Sequence, residues 1–111
     1  MKYGLTRKLN VYNLESQKGE EVIATAGDYL QSQLWCSKNI NGVEDGIADL
    51  YQTFAWAWFA LKRNGKLAEY GIGAEITQEA LTEMASTVTV YMEAIPDDSL
   101  PLAGSATQPK K

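Results

Sequence analysis

Apolar positions follow helical spacing through the middle of the chain. The longest such segment begins near Val43 to Asp45 and ends with Lys62 and Arg63, whose positive charges suit the negative end of a helix dipole. Asn64-Gly65 follows directly and supplies the left-handed residue at which helices commonly stop. The positions with core-facing spacing are Ile47, Leu50, Tyr51, Phe54, Trp58 and Leu61. The pattern therefore predicts a long helix with this stripe turned towards the core.

The same segment is also apolar on its other side. Trp56 and Phe59 lie on or near the side opposite the stripe, beside Gln52 and Arg63. A helix in a small soluble domain needs only one apolar stripe, so either a second layer of the domain or another molecule covers these rings. Aromatic residues and arginine are enriched at the hot spots of protein interfaces. On the second alternative, the partner-binding residues are Trp56, Phe59 and Arg63.

Two shorter helices are predicted, one on each side of the long helix. Asp28 is placed to cap a helix from Tyr29 to about Lys38, and Thr77 is placed to cap another that Pro96 ends. The apolar side of the first contains Tyr29, Leu30, Leu34 and Trp35. The apolar side of the other contains Leu81, Met84, Ala85, Val88 and Ile95. The β-branched run from Thr87 to Tyr91 lowers helix propensity, which leaves an extended end open.

The N-terminal segment predicts a β-hairpin. Tyr3 to Leu14 alternates in part between apolar and polar residues, Val22 to Thr25 is β-prone, and Gly19 between them can adopt the positive φ of a tight turn. A short helix over Asn10 to Gln17 is the competing interpretation. The predicted fold class is mainly α, a small helical domain of about three helices over residues 1–95 with a short N-terminal β-hairpin. Residues 96–111 have the composition of a disordered tail.

The composition restricts the chemistry that is available. The chain has 111 residues, a net charge of −4, no histidine and the single cysteine Cys36. Without histidine, the Ser-His-Asp and Cys-His nucleophile systems and the usual zinc ligand sets are excluded. Gly71-Ile72-Gly73 lacks the third glycine and the preceding strand of a dinucleotide site. No catalytic, cofactor-binding or metal-binding residue is predicted, and the protein is not expected to be an enzyme.

Charge and hydropathy also narrow the expected partners. The acidic balance, without a basic stripe, disfavours nucleic acid as a partner. No apolar run approaches the roughly 20 residues of a membrane-spanning helix. The N-terminus lacks the apolar segment of a signal peptide. A cytoplasmic protein without a membrane partner is therefore expected.

The run from Tyr51 to Gly65, with its segment AWFALKRNG, resembles the central helix of tail assembly chaperones from long-tailed bacteriophages and prophages. Those small proteins often carry an aromatic- and alanine-rich helix that ends in a basic pair and a glycine. The acidic, partly helical segment from Ile76 to Ala94, followed by Pro96-Asp97-Asp98, is similar to the family's layout as well.

The resemblance implies a binding function in the cytoplasm of a bacterial host. Tail assembly chaperones bind the long helical tape measure protein before the tail tube polymerises, help to recruit the tail tube protein, and are absent from the finished virion. The aromatic helix side with Trp56, Phe59 and Arg63 would then cover apolar stripes of the client, and a homo-oligomer stays open. The alternatives are a structural head–tail connector or neck component of a phage particle, and a small cytosolic regulatory protein.

Overall fold

A three-stranded antiparallel sheet and three α-helices make up the fold. The computed structural model describes residues 3–96, and the side chains of residues 6–94. The elements in chain order are β1 (Tyr3–Asn13), β2 (Lys18–Ala24), α1 (Ala26–Asn39), α2 (Asp45–Arg63), a 3-10 helix (Ala68–Tyr70), α3 (Gln78–Thr87) and β3 (Val88–Pro96). The strand order is β2-β1-β3, so the first strand lies in the centre of the sheet.

The prediction of a mainly α fold is wrong, because the segment after α3 forms an edge strand that pairs with the central strand β1. Val90 lies opposite Val11, and Met92 lies opposite Leu9. The β-branched run that begins at Thr87 packs well on a pleated surface, and its alternate residues turn towards the helices. The protein is therefore a small α+β domain, in which the last helix ends at Thr87. Apart from Pro96, which ends β3, the expected disordered tail lies outside the described residues.

The predicted N-terminal hairpin is present, but its glycine has a different role. Gln17, and not Gly19, adopts the positive φ of the turn, at 60°. Gly19 lies in β2 opposite Tyr12. A Cβ at this position would come within 2.9 Å of both Tyr12 Cδ1 and the Val11 carbonyl oxygen. The glycine is therefore needed for the close approach of β1, and the turn does not depend on it.

The core lies between one face of the sheet and the helices. The sheet contributes Leu9, Val11, Val22, Ala24 and Val88, the helices contribute Ala55, Ala57, Trp58, Ala60, Leu61, Leu81 and Met84, and the connector after α2 contributes Tyr70 and Ile72. The opposite face of the sheet is mixed, because Lys8 pairs there with Glu21 and Glu93 while the side chains of Tyr12, Ile23 and Tyr91 are exposed on it. The α2 bounds agree with the sequence prediction, and Gly65 adopts the expected left-handed conformation, with φ at 70°.

Helix α1 has the opposite orientation to the one expected from its leucines. Leu30 and Leu34, which were expected to face the core, are 60% and 62% exposed, whereas Asp28 and Ser32 are buried. The N-cap is Thr25, and Asp28 completes a capping box by accepting from the Thr25 backbone N–H at 2.9 Å. Ser32 lies against Gln52 of α2, with which its hydroxyl forms a hydrogen bond. The buried Asp28 and Ser32, together with the half-buried rings of Tyr29 and Trp35, therefore form the inner side of α1, and its leucines face outwards.

Candidate protein-binding site

Trp56 is sealed within the domain. Its side chain is only 8% exposed, and its Nε1 donates a hydrogen bond to the Thr25 carbonyl oxygen at 3.1 Å. The Tyr29 ring meets the indole edge-on, with ring centroids 4.8 Å apart. The Arg7 guanidinium lies over the indole at 5.6 Å. Of the two alternatives left open for Trp56, the structure therefore has the intramolecular one, because the start of α1 covers the indole.

Arg63 also has an intramolecular role. Its Nε and Nη2 both donate to the Asp28 carboxylate, at distances between 3.1 and 3.2 Å. Nη2 donates in addition to the Ile23 carbonyl oxygen at 2.7 Å. The side chain thus connects the end of α2 to the end of β2 and the start of α1. About half of its surface remains exposed, at 46%.

Phe59 is half-buried against the neighbouring indole. Its ring meets that of Trp58 edge-on at 5.0 Å. The side chains of Trp56, Phe59 and Arg63 therefore do not combine into an exposed aromatic surface. Contact of a partner with the exposed parts of Phe59 and Arg63 stays a prediction.

The exposed apolar part of α2 lies nearer its N-terminus. Trp58 and Leu61 of the predicted core stripe are buried, but Ile47 and Leu50 of the same stripe are 44% and 60% exposed. Helix α3 lies beside this part of the stripe, and a groove of about 190 Å³ runs between the two helices. Its lining residues are Ile47, Leu50, Tyr51, Phe54, Leu81, Thr82 and Ala85, which we call the α2–α3 groove. Among the described residues, this lining carries no formal charge.

One side of the α2–α3 groove is acidic. An adjoining depression shares Tyr51 and Thr82 with the groove and adds Glu79 and Glu83 of α3, together with Gln78. The Tyr51 hydroxyl hydrogen-bonds with Thr82 Oγ1 at 3.0 Å and accepts from Gln78 Nε2 at 3.4 Å. These hydrogen bonds lower the pKa of Tyr51. The groove therefore has an apolar floor and a hydrogen-bonded edge beside two carboxylates.

A second cleft lies beside Asn13, at the end of the sheet where α3 leads directly into β3. It has a volume of about 310 Å³ and is lined in part by Tyr70, Met84 and Glu83. The Asn13 side chain is fully engaged, since Nδ2 donates to the Tyr70 carbonyl oxygen at 2.8 Å and Oδ1 accepts from the backbone N–H groups of Glu15 and Ser16. This amide therefore serves to hold the connector on the sheet.

The connector is also held by a cluster of charged and phenolic groups. Lys66 pairs with Glu20 of β2 at 3.2 Å and with Glu69 at 3.5 Å. The hydrogen bond to Lys66 lowers the pKa of Glu20, and the Tyr70 phenol acts in the same direction. Burial, followed by the Glu20 carboxylate, raises the pKa of Tyr70 to about 12. These groups pair with one another and stabilise the connector.

Over residues 3–96, no group of three or more Cys, Asp or Glu side chains comes close enough together to hold a metal ion. In that same range, no helix has the length and hydropathy needed to cross a membrane.

Comparison with known proteins does not assign the chain to a family. No protein-family model matches it, and neither does any curated protein or solved structure. Its function is therefore inferred from the geometry of its own residues.

Proposed function

We propose that this protein is a tail assembly chaperone of a phage or prophage, which binds an amphipathic helix of the tape measure protein in the α2–α3 groove. The observation that carries the proposal is the exposure of Ile47 and Leu50 over an uncharged groove between two helices. Such a groove fits the helix-in-groove mode, in which a few apolar residues of the partner provide most of the contact. The other partner is the tail tube protein, and the setting is the cytoplasm of a bacterial host.

The charge beside the groove indicates which helices fit. Glu79 and Glu83 line the depression next to the groove and share Tyr51 and Thr82 with it. Opposite charges across an interface favour the correct partner and speed its association. A client helix with Lys or Arg beside its apolar stripe therefore fits better than one with acidic flanks.

The resemblance to tail assembly chaperones supports the proposal, because the run that carries it reaches the α2–α3 groove. The resembling run begins at Tyr51, and its first turn supplies Tyr51 and Phe54 to the groove. Its later part supplies Trp58 and Leu61 to the core. The run thus has two roles, because one end contacts the client and the other end fixes the helix on the sheet.

Co-purification with the tape measure protein of the same phage genome tests the proposal. Leu50→Glu should abolish co-purification, because it places a carboxylate on the apolar floor beside Glu79 and Glu83. Leu14→Glu is the matched control, since Leu14 lies after β1, is 53% exposed and does not line the groove. Equal recovery of the client with both variants would contradict the proposal.

Analysis of purified virions separates the proposed function from its alternatives. A chaperone should be missing from purified virions, whereas a head–tail connector or neck component would remain in them. Tight, salt-sensitive binding to nucleic acid would instead favour a regulatory protein.

A further inference from the structure

The outer side of α1 is an apolar surface that no other element of residues 3–96 covers. Gly27, Leu30, Leu34 and Ser37 follow one another at spacings of three, four and three residues, which places them on one side of the helix. All four are exposed, and the two leucines are among the most exposed large apolar side chains of the described residues. A Cβ at Gly27 would meet only the Thr25 hydroxyl, at 3.6 Å, so the backbone there is open to close approach.

The exposed positions of α1 are arranged nearly symmetrically about the level of Ser32, which is itself buried on the inner side of the helix. Reading outwards from Ser32 gives a glutamine on each side and then a leucine, Leu30-Gln31-Ser32-Gln33-Leu34, whereas the rings of Tyr29 and Trp35 beyond them are half-buried against the core. The small residues Gly27 and Ser37 lie five positions away in each direction. An antiparallel partner with the same sequence would therefore present like residues to like.

We infer that the outer side of α1 binds the same surface of a second copy of this chain. The two helices are antiparallel, and the two-fold axis passes between them at the height of Ser32. In this arrangement Leu30 of one copy packs on Leu34 of the other, and the reverse contact is identical. Gly27 of each copy faces Ser37 of the other, which allows the helix ends to approach. Self-complementarity of this kind is what a two-fold interface requires.

The outer side of α1 carries no exposed carboxylate that a second copy would repel. Within α1, all of whose side chains the structure describes, the charged residues are Asp28 and Lys38. Asp28 is buried on the inner side and is paired with Arg63. The chain carries a net charge of −4, so two copies repel each other in general, and the outer side of α1 is a surface free of exposed carboxylates. Depletion of charge is also a property of interface cores.

The size of the surface sets the expected strength of association. A helix of 14 residues is about 21 Å long. One helix side of this length buries less than the roughly 800 Å² per partner of a typical stable interface. The dimer is therefore expected to dissociate on dilution, in the micromolar concentration range.

Sedimentation velocity over a dilution series tests the self-association. The full chain should change from dimer to monomer on dilution, and Leu34→Glu should remain a monomer at every concentration. Leu34→Ala puts a strong helix former at this position and should weaken the dimer at least tenfold. This variant provides the test if Leu34→Glu does not fold. Leu14→Glu and Leu50→Glu should dimerise as the unchanged chain does. A chain that stays monomeric throughout, or a Leu34→Ala variant that dimerises normally, would overturn the inference.

Disulfide formation between single-cysteine variants tests the antiparallel arrangement. In a Cys36→Ser background, Leu30→Cys and Leu34→Cys proteins are oxidised separately and then as a mixture. The mixture should form the mixed 30–34 disulfide faster than either protein links to itself. In the antiparallel dimer, equal positions are displaced by about 6 Å along the helix, and a disulfide needs Cα atoms within about 7 Å. Faster self-linking of each protein alone would indicate a parallel pair and overturn the arrangement.

The inference is independent of the proposed chaperone function. The dimer surface contains Leu30 and Leu34, whereas the client surface contains Ile47 and Leu50. If Leu34→Glu loses the dimer but still co-purifies with the client, the groove is separate from the dimer surface, as inferred. If Leu34→Glu no longer binds the client but sediments with the same mass as the unchanged protein at every concentration, the inference fails. In that case α1 belongs to the client site.

Discussion

Asp28 and Arg63 form a forked ion pair across the α1–α2 interface, with the carboxylate buried and the guanidinium half-exposed. Arg63 Nε lies 3.1 Å from Asp28 Oδ1, and Nη2 lies 3.1 Å from Oδ2. The same carboxylate completes the capping box of α1. One acidic side chain thus joins the start of α1 to the end of α2. Because this attachment turns the Asp28 side of α1 inwards, Leu30 and Leu34 of α1 face outwards.

Removal of Arg63 should destabilise the domain more than loss of a surface arginine normally does. Arg63→Ala leaves the Asp28 carboxylate buried without its cation, which should lower the free energy of unfolding by roughly 3 kcal/mol. Arg63→Lys keeps the charge but loses the fork, so it should recover only part of this stability. Urea unfolding of the three proteins measures the difference. A loss below about 0.5 kcal/mol, typical of a surface pair, would contradict this role for Arg63.

The two buried tryptophans should respond differently to substitution by phenylalanine. Trp56 Nε1 donates to the Thr25 carbonyl oxygen, whereas Trp58 Nε1 is buried without a partner among the described residues. Trp56→Phe loses a hydrogen bond along with ring volume, and Trp58→Phe removes a donor that was unsatisfied. Trp56→Phe should therefore be more destabilising, by about 1 kcal/mol. Chemical unfolding measures both, and the reverse order would show that ring volume outweighs the hydrogen bond.

Tyr70 should make the protein sensitive to alkaline pH. Its pKa is raised from 10.0 to about 12, chiefly by burial, so the folded protein favours the neutral phenol. The resulting stabilisation is complete below pH 10 and is lost as the pH rises from 10.0 towards about 12. Tyr70→Phe cannot ionise, so its unfolding free energy should fall less over this range. Parallel decline of the two proteins in denaturant titrations would contradict a buried phenol at this position.

Substitution of two glycines by alanine should change the stability of the protein in opposite directions. Gly46 lies in the first turn of α2, where a Cβ would have open space, so Gly46→Ala should stabilise the protein by about 0.5–1 kcal/mol. Gly19→Ala should destabilise it, because the new Cβ would come within 2.9 Å of the Val11 carbonyl oxygen. Thermal unfolding of both variants checks the two signs. Stabilisation by Gly19→Ala would show that β1 and β2 can separate without cost.

Local signals in the sequence predicted much of the helical structure. The end of α2 at Arg63 with a left-handed Gly65, and the Thr77 cap of α3, follow from residues next to those positions. The segment that begins at Val88 was harder, because its apolar residues fit one side of a helix as well as one side of a strand. Pairing with β1, which is remote in sequence, decided the outcome.

The candidate site could be predicted only in part, because exposure depends on which elements lie nearby. Leu30 and Leu34 have helical spacing whether they face inwards or outwards, and apolar residues are common on surfaces as well as in cores. Likewise, the stripe of α2 is continuous from Ile47 to Leu61, although only its later part is covered. The cover of Trp56 stayed open between the domain and a partner, because the sequence does not show that the start of α1 packs over it.

Methyl NMR of the chain with a helical fragment of the tape measure protein tests the central claim most directly. We expect the largest shift changes at Ile47, Leu50 and Ala85, which line the α2–α3 groove. A fragment with basic residues beside its apolar stripe should bind more tightly than one with acidic flanks. Changes confined to the surroundings of Phe59 and Arg63, or no changes at saturating fragment, would contradict the account.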